Sequence, residues 1–229
     1  MKVIIAGATG TAGRGITQVC LADPRVTKIL ILTRRQPSKE VASHDKVEVI
    51  IHEDFSTWPS SVLEKLEGAE ACLWAVGGRV DQFGNDAALA RKVGVDYTLA
   101  AAKAMRNHLV AHLPTDLPLK QPFRFVLCSG MLAEWDQERK LWFLNDTRKI
   151  KGAVEKGLCE LADEEGYQDF EVFIARPSYL LAPEASLLMK MASPFVFGIK
   201  TQQVGRAMLK MAADGWEDRI VLTYQLQKM

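Results

Sequence analysis

One glycine pattern constrains the fold of this chain more than any other feature. Gly7-Ala8-Thr9-Gly10-Thr11-Ala12-Gly13 follows the apolar run Val3–Ala6 at once and opens a stretch of helical periodicity that continues through about Leu21. In that context each glycine has its own task. Gly7 permits a tight turn, Gly10 lets the backbone approach a pyrophosphate, and Gly13 lets helix and strand pack closely. The unpaired N–H groups at the helix start attract phosphate.

The rest of the chain repeats the strand-then-helix alternation. Apolar, β-branched runs recur at Val3–Ala6, Ile29–Leu32, Val47–Ile51, Ala71–Val76, Phe123–Cys128, Phe170–Ala175 and Ile220–Thr223, as in strands buried on both faces. Between them, Asp86–Met105 places Ala90, Val93, Tyr97, Ala101 and Ala104 on one helical stripe, and Asn145–Glu165 does so with Ile150, Val154, Leu158 and Leu161. Val204, Ala207, Met208 and Met211 also fall at helical spacing. The alternation predicts one α/β domain over residues 1–229, a doubly wound parallel sheet of Rossmann type, with a small C-terminal substrate cap mainly from about 178–200.

Turn signals predict three long irregular stretches, Asn107–Pro122, Ser129–Leu144 and Ala182–Lys200. The last two follow strands directly, and ligands in open α/β sheets sit beyond strand carboxyl ends, so these two are the expected substrate walls. Within the last, Leu187, Leu188, Met189, Met191, Phe195, Val196 and Phe197, broken by Pro194, are enough to wall a pocket for a hydrophobic small molecule and too few to span a bilayer.

Lys and Arg number 29 and Asp and Glu 28, a net charge of +1, which gives no electrostatic pull toward nucleic acid or an anionic membrane. The expected partner is a small molecule, with the protein a monomer or homodimer. Cys20, Cys72, Cys128 and Cys159 form no CxxC pair and read as reduced core thiols. His44, His52, His108 and His112 lack ligand spacing, so no metal is expected. The chain starts on a strand-like segment without a signal-peptide pattern, which predicts a cytoplasmic protein.

The second strand ends in Thr33-Arg34-Arg35, with Thr33 twenty positions past Gly13, where an NAD site commonly presents an acidic residue to the ribose hydroxyls. No carboxylate stands there. An arginine can instead pair with a 2′-phosphate through its planar fork, which predicts NADP(H) as cofactor. Arg34 is the first choice, with Arg14 and Arg35 behind it.

The GATGTAG turn, the TRR strand end and the Asp54-Phe55 pair after the third strand together resemble the short-chain dehydrogenase/reductase superfamily, in its atypical, NmrA-like branch. The likeness covers nearly the whole chain. It implies that Asp54 and Phe55 frame the adenine, that Thr9, Thr11 and Ala12 share the phosphate turn with the glycines, and that Ala75-Val76-Gly77-Gly78 passes beneath the nicotinamide side. Arg176-Pro177, opening RPSYLLAP, resembles the segment that carries such chains past the nicotinamide, so Pro177 joins the cofactor set.

The resemblance also implies a serine after the fifth strand and a Tyr-x-x-x-Lys pair opening the next helix. Ser129 follows Val126-Leu127-Cys128, placed to hold a substrate carbonyl or hydroxyl. Lys151 lies in a Lys-Gly-x-x-Glu run similar to that branch, and would hold the nicotinamide ribose. Four residues earlier, one turn away on a helix, stands Thr147, whose hydroxyl cannot do acid/base work near neutral pH. Glu134, Asp136, Asp146 and Tyr179 are the substitute proton donors, with Tyr97 weaker.

Ser129, Lys151 and Thr147 are thus the expected catalytic positions. The leading expectation is an NADP(H)-dependent oxidoreductase acting on a small apolar organic substrate, including hydride transfers that need little acid help. The alternative is a non-redox isomerase or cyclase, or an NADP(H)-sensing regulator, on the same fold.

Overall fold

Each of the seven apolar runs becomes a strand in the computed structural model, which describes residues 1–110, 121–166, 168–181 and 198–229. The strands are β1 (Lys2–Ala6), β2 (Lys28–Thr33), β3 (Val47–Ile51), β4 (Ala71–Trp74), β5 (Phe123–Cys128) and β6 (Phe170–Arg176), then β7 (Leu180–Leu181), β8 (Ile199–Lys200) and β9 (Ile220–Leu222). All except β7 and β8 form one parallel sheet in the order β3-β2-β1-β4-β5-β6-β9. The order reverses at β1. The chain winds outward to β3, then returns to lay β4 against the other side of β1, with Ile5 opposite both Ile31 and Leu73. The crevice beyond the ends of β1 and β4 is therefore the switch point where ligands bind in such sheets.

Helices α1 (Thr11–Ala22), α2 (Lys39–Ala42), α3 (Ser60–Leu66), α4 (Ala87–Arg91), α5 (Tyr97–Leu109), α6 (Asn145–Ala162), α7 (Thr201–Asp214) and α8 (Thr223–Leu226) lie between or beside these strands. Alternate strand residues face opposite layers. Ile5, Ile31, Leu73 and Val126 bury against Ile16, Val204 and Met208 on one side, while Ile4, Leu30, Trp74 and Phe125 bury against Met105, Val154 and Leu158 on the other. Full burial of one such aliphatic side chain contributes about 1.5–3 kcal/mol. Close packing of α1 on α7 depends on Gly15, where a Cβ would lie 2.6 Å from Thr201.

The helical region after β4 departs from a regular amphipathic helix. α4 passes into a π turn over Lys92–Asp96 before α5 begins. A π turn holds one extra residue, so the apolar stripe slips by one position. Thr98 and Met105 are buried in place of the expected Tyr97 and Ala104, which are half-buried. α5 also runs through Asn107 to Leu109, into a stretch expected to be irregular, and the buried Arg106 guanidinium holds this last turn by donating to Leu161 O at 2.8 Å. β4 ends at Trp74, two residues before the end of its apolar run.

β7 and β8 pair in parallel, Leu180 with Ile199 and Leu181 with Lys200, so the two flanks of the expected cap meet. Residues 182–197, which carry its apolar stretch, lie outside the described residues, as does most of the irregular stretch ending at Pro122. Among the described residues, no helix is long and apolar enough to cross a membrane, and no cluster of metal-ligand residues occurs. All four cysteines are free; Cys128 is half-buried and the others buried.

Candidate functional site

The glycine turn closes against the exit of β4. Gly7 has φ +81°, and a Cβ there would lie 2.5 Å from Ala75 O. At Gly13 a Cβ would come within 1.9 Å of Gly7 O, whereas at Gly10 it would meet the same oxygen at 3.4 Å. Two glycines are thus obligatory and the third leaves open backbone. Gly10 caps α1, whose first turn carries no acidic residue, so its free N–H groups present positive potential outward. The Arg14 Nε donates to Thr9 O at 3.2 Å and braces the loop.

In front of this turn lies a cavity of about 310 Å³, walled by Gly7, Thr9 and Gly10, by Thr33, Arg34 and Arg35, and by Ala75, Val76 and Gly77, with Phe55, Phe83 and Tyr97 among its rings. Thr33 Oγ1 donates to Arg35 O (2.9 Å), turning the chain at the strand end so that both arginines reach the cavity. Among the described residues neither guanidinium makes a hydrogen bond or ion pair, and both are exposed. Phe55 is buried, its ring 5.8 Å from Trp74 and 6.1 Å from Tyr97. Asp54 does not line the cavity. It accepts from Ser56 N (3.0 Å) and Ser56 Oγ (2.6 Å), bonds that hold its carboxyl below the ordinary range. Thr11, Ala12 and Gly13 sit in the first turn of α1, behind the lining residues.

Val76 and Gly77 also wall a second, smaller cavity of about 20 Å³, closed by Gly78, Gly94, Cys128, Ser129, Ile150 and Lys151. Lys151 is half-buried, and its Nζ donates to Ser129 O at 3.1 Å. Burial pulls its pKa below the ordinary lysine value, against the opposing pull of Cys128 and Glu155. Burial pushes the Cys128 thiol up to about 11.

Ser129 is turned away from acid chemistry. Its Oγ donates to Glu155 Oε1 at 2.5 Å, and Glu155 is fully buried. The same carboxylate accepts from Trp135 Nε1 at 2.8 Å and from Arg176, whose Nε lies 3.1 Å from each oxygen and whose Nη2 adds a further bond. In every one of these bonds the Glu155 carboxyl oxygens are the acceptors. The single Ser129 proton is therefore committed to Glu155, so to any other partner the hydroxyl has only lone pairs to offer. Sequence reasoning missed this cluster. The available signal was the four-residue spacing of Lys151 and Glu155, which puts both on one face of α6, together with an arginine closing β6.

Thr147 is buried and lines neither cavity; its Oγ1 accepts from Val80 N at 3.0 Å. The substitute proton donors also stand apart. Glu134 pairs with Arg139 (2.9 Å), Asp136 accepts from Glu138 N (2.9 Å), Asp146 accepts from Asn145 Nδ2 (2.8 Å), and Tyr179 is exposed. None of the four lines either cavity, and Tyr97 lines only the larger. Pro177 is buried, its carbonyl accepting from Met131 N at 2.9 Å. The Ser129–Leu144 loop is fastened to α6: Glu134 N donates to Arg148 O (2.9 Å), Arg148 Nε donates to Leu132 O (2.8 Å), and a Cβ at Gly152 would strike Glu134 O at 1.6 Å.

No family model matches the chain. A stretch of 77 residues, 34% of this chain and 28% of the relative, is 39% identical to leucinostatins biosynthesis cluster protein T of Purpureocillium lilacinum, so the match spans little more than a quarter of that protein. Solved structures resemble the chain over nearly its whole length. A double mutant of DesIV, the dTDP-glucose 4,6-dehydratase of Streptomyces venezuelae, with NAD and DAU bound, superposes with a TM-score of 0.69 at 14% identity, over 97% of this chain and 75% of that one. Gre2 of Candida albicans in complex with NADPH gives 0.68 at 17% identity, covering 97% and 77%. A short-chain type dehydrogenase/reductase of Mycobacterium ulcerans gives 0.70 at 14% identity, covering 98% and 89%. At such identities the likeness speaks for architecture alone, and the chain has a Rossmann-type fold like that of these structures.

Proposed function

We propose that the protein is an NADP(H)-dependent oxidoreductase of the atypical, NmrA-like short-chain dehydrogenase/reductase kind, acting on a small apolar organic substrate. One observation carries the reading: a glycine-turn cavity, with two arginines at its rim that are unpartnered among the described residues, shares the wall Val76 and Gly77 with a small cavity lined by Lys151. The cradle suits a dinucleotide: Gly7 and Gly13 admit no Cβ against neighbouring backbone and so keep the turn tight, while Gly10 leaves open backbone on the cavity wall. Gly10 and the α1 start hold the pyrophosphate, Arg34 and Arg35 pair with the 2′-phosphate, and Phe55 packs beside the adenine. When bound, the nicotinamide supplies or accepts the hydride.

The residues at the far end favour hydride transfer that needs little acid help. Ser129 offers lone pairs, which suit a donor such as an iminium N–H or a hydroxyl, and Lys151 is placed to hold the nicotinamide ribose. Titratable side chains lining the small cavity are Cys128 and Lys151 among the described residues. NADPH oxidation followed at the reduced-nicotinamide absorbance band, across cyclic imines, enones and simple ketones, tests this. The reading expects turnover on imines or enones and little on ketones. Preferential turnover of ketones contradicts it. The absence of a phenol or carboxyl from the small cavity's described lining also supports a second reading, an isomerase, cyclase or NADP(H) sensor, which product formation or tight binding without oxidation would favour. The proposal includes a cytoplasmic monomer or homodimer with small-molecule partners.

A further inference from the structure

The segment that leaves β4 is a small rigid unit jointed at both ends. Gln82 N donates to Arg79 O (3.0 Å), Gln82 Oε1 accepts from Arg79 N (2.9 Å), Asn85 N donates to Val80 O (3.1 Å), and Arg79 Nε donates to Asp81 Oδ1 (2.9 Å). At one end Gly77 has φ +131°; at the other Gly84 and Asn85 have φ +66° and +63°. Positive-φ residues thus flank a self-bonded 3₁₀ turn, Val80–Phe83, at the kind of positions where a chain can hinge.

This unit stands where the two cavities meet. Gly77 and Gly78 wall the small cavity, and Gly77 and Phe83 wall the large one. Beyond it the space of about 20 Å³ has room for one water, far less than a nicotinamide ring needs. Val80 and Phe83 pack on the core, and Val80 N donates to Thr147 Oγ1 across 67 positions of sequence.

We propose that Thr147 is a positioning residue whose hydroxyl latches the strap of residues 77–84 across the passage between the two cavities, so that breaking its bond to Val80 N opens the small cavity to the nicotinamide and the substrate. What enters rests on the cofactor reading above; the latch itself does not. The position that differs most from the family pattern is then not idle. A threonine here cannot donate a proton to the reaction, but it can accept one hydrogen bond from the strap and set how often the passage opens.

Thr147→Val keeps the shape and removes the acceptor, and Thr147→Ser restores it. Two readouts on the ligand-free protein need no cofactor: amide hydrogen exchange at Val80, and alkylation by iodoacetamide at Cys128, which lines the small cavity. Cys20 and Cys72, fully buried elsewhere in the core, serve as internal controls. In Thr147→Val both rates rise about five- to tenfold, as loss of one hydrogen bond would give, while Cys20 and Cys72 stay protected and Thr147→Ser behaves as native. Unchanged rates at Val80 and Cys128, or an equal rise at all three cysteines, would overturn the latch. In stopped-flow mixing with NADPH, association and dissociation rates rise together in Thr147→Val; rates equal to native despite a freed Val80 overturn its control of the passage. Native protein that binds no NADPH overturns the cofactor reading, and the exchange and alkylation results still decide the latch.

Discussion

The two ends of the crevice are made of different material. At the β1 end the site is backbone: glycines, helix N–H groups and a strand exit, with two arginines at the rim that have no partner among the described residues. At the β5 end it is side chain, and most of those side chains are engaged with one another. Ser129 and Arg176 meet on Glu155, Thr147 holds Val80, and Lys151 reaches the carbonyl of Ser129. A backbone site is written in a few adjacent residues, because steric exclusion at Gly7 and Gly13 acts over one turn. A side-chain site is written in pairs separated by long stretches of chain, and its hydroxyls and carboxylates change meaning with their partners.

If this contrast is right, substitutions at the two ends fail differently. Glu155→Ala should cost the most stability, about 3–5 kcal/mol, because it strands the Arg176 guanidinium and leaves the buried Ser129 hydroxyl without its acceptor. Urea unfolding measures it; a loss below about 1 kcal/mol would mean that water already serves the cluster. Gly13→Ala comes next, at roughly 1–3 kcal/mol of overpacking strain, because the added methyl meets a backbone oxygen that no rotamer change can move. Its signature should be loss of NADPH binding ahead of loss of fold. Should Glu155→Ala lose cofactor binding while staying stable, or Gly13→Ala bind normally, the division between the two ends would be wrong.

The legibility of the sequence follows the same division. All seven strands of the sheet, the glycine turn and the arginine-tipped β2 could be read because burial on both faces and steric exclusion are local constraints. The π turn over Lys92–Asp96 could not, since one extra residue leaves apolar periodicity nearly intact while it turns Tyr97 toward the large cavity. Position 147 could be recognised as a departure, but its bond to Val80 joins residues from different elements. Likewise Ser129 reads as a hydroxyl facing a ligand until Glu155, one turn beyond Lys151 on α6, is seen to accept its hydrogen bond.

On the proposed function, Arg34, whose guanidinium makes no hydrogen bond or ion pair among the described residues, selects a 2′-phosphate. Calorimetric titration of the native protein and of Arg34→Ala with NADPH and with NADH tests it directly. The native protein should bind NADPH more tightly than NADH, and the variant should lose about tenfold to a hundredfold in NADPH affinity with NADH little changed, the scale of a charge-assisted hydrogen-bonded pair. Equal losses for both nucleotides, or tighter native binding of NADH, would contradict it.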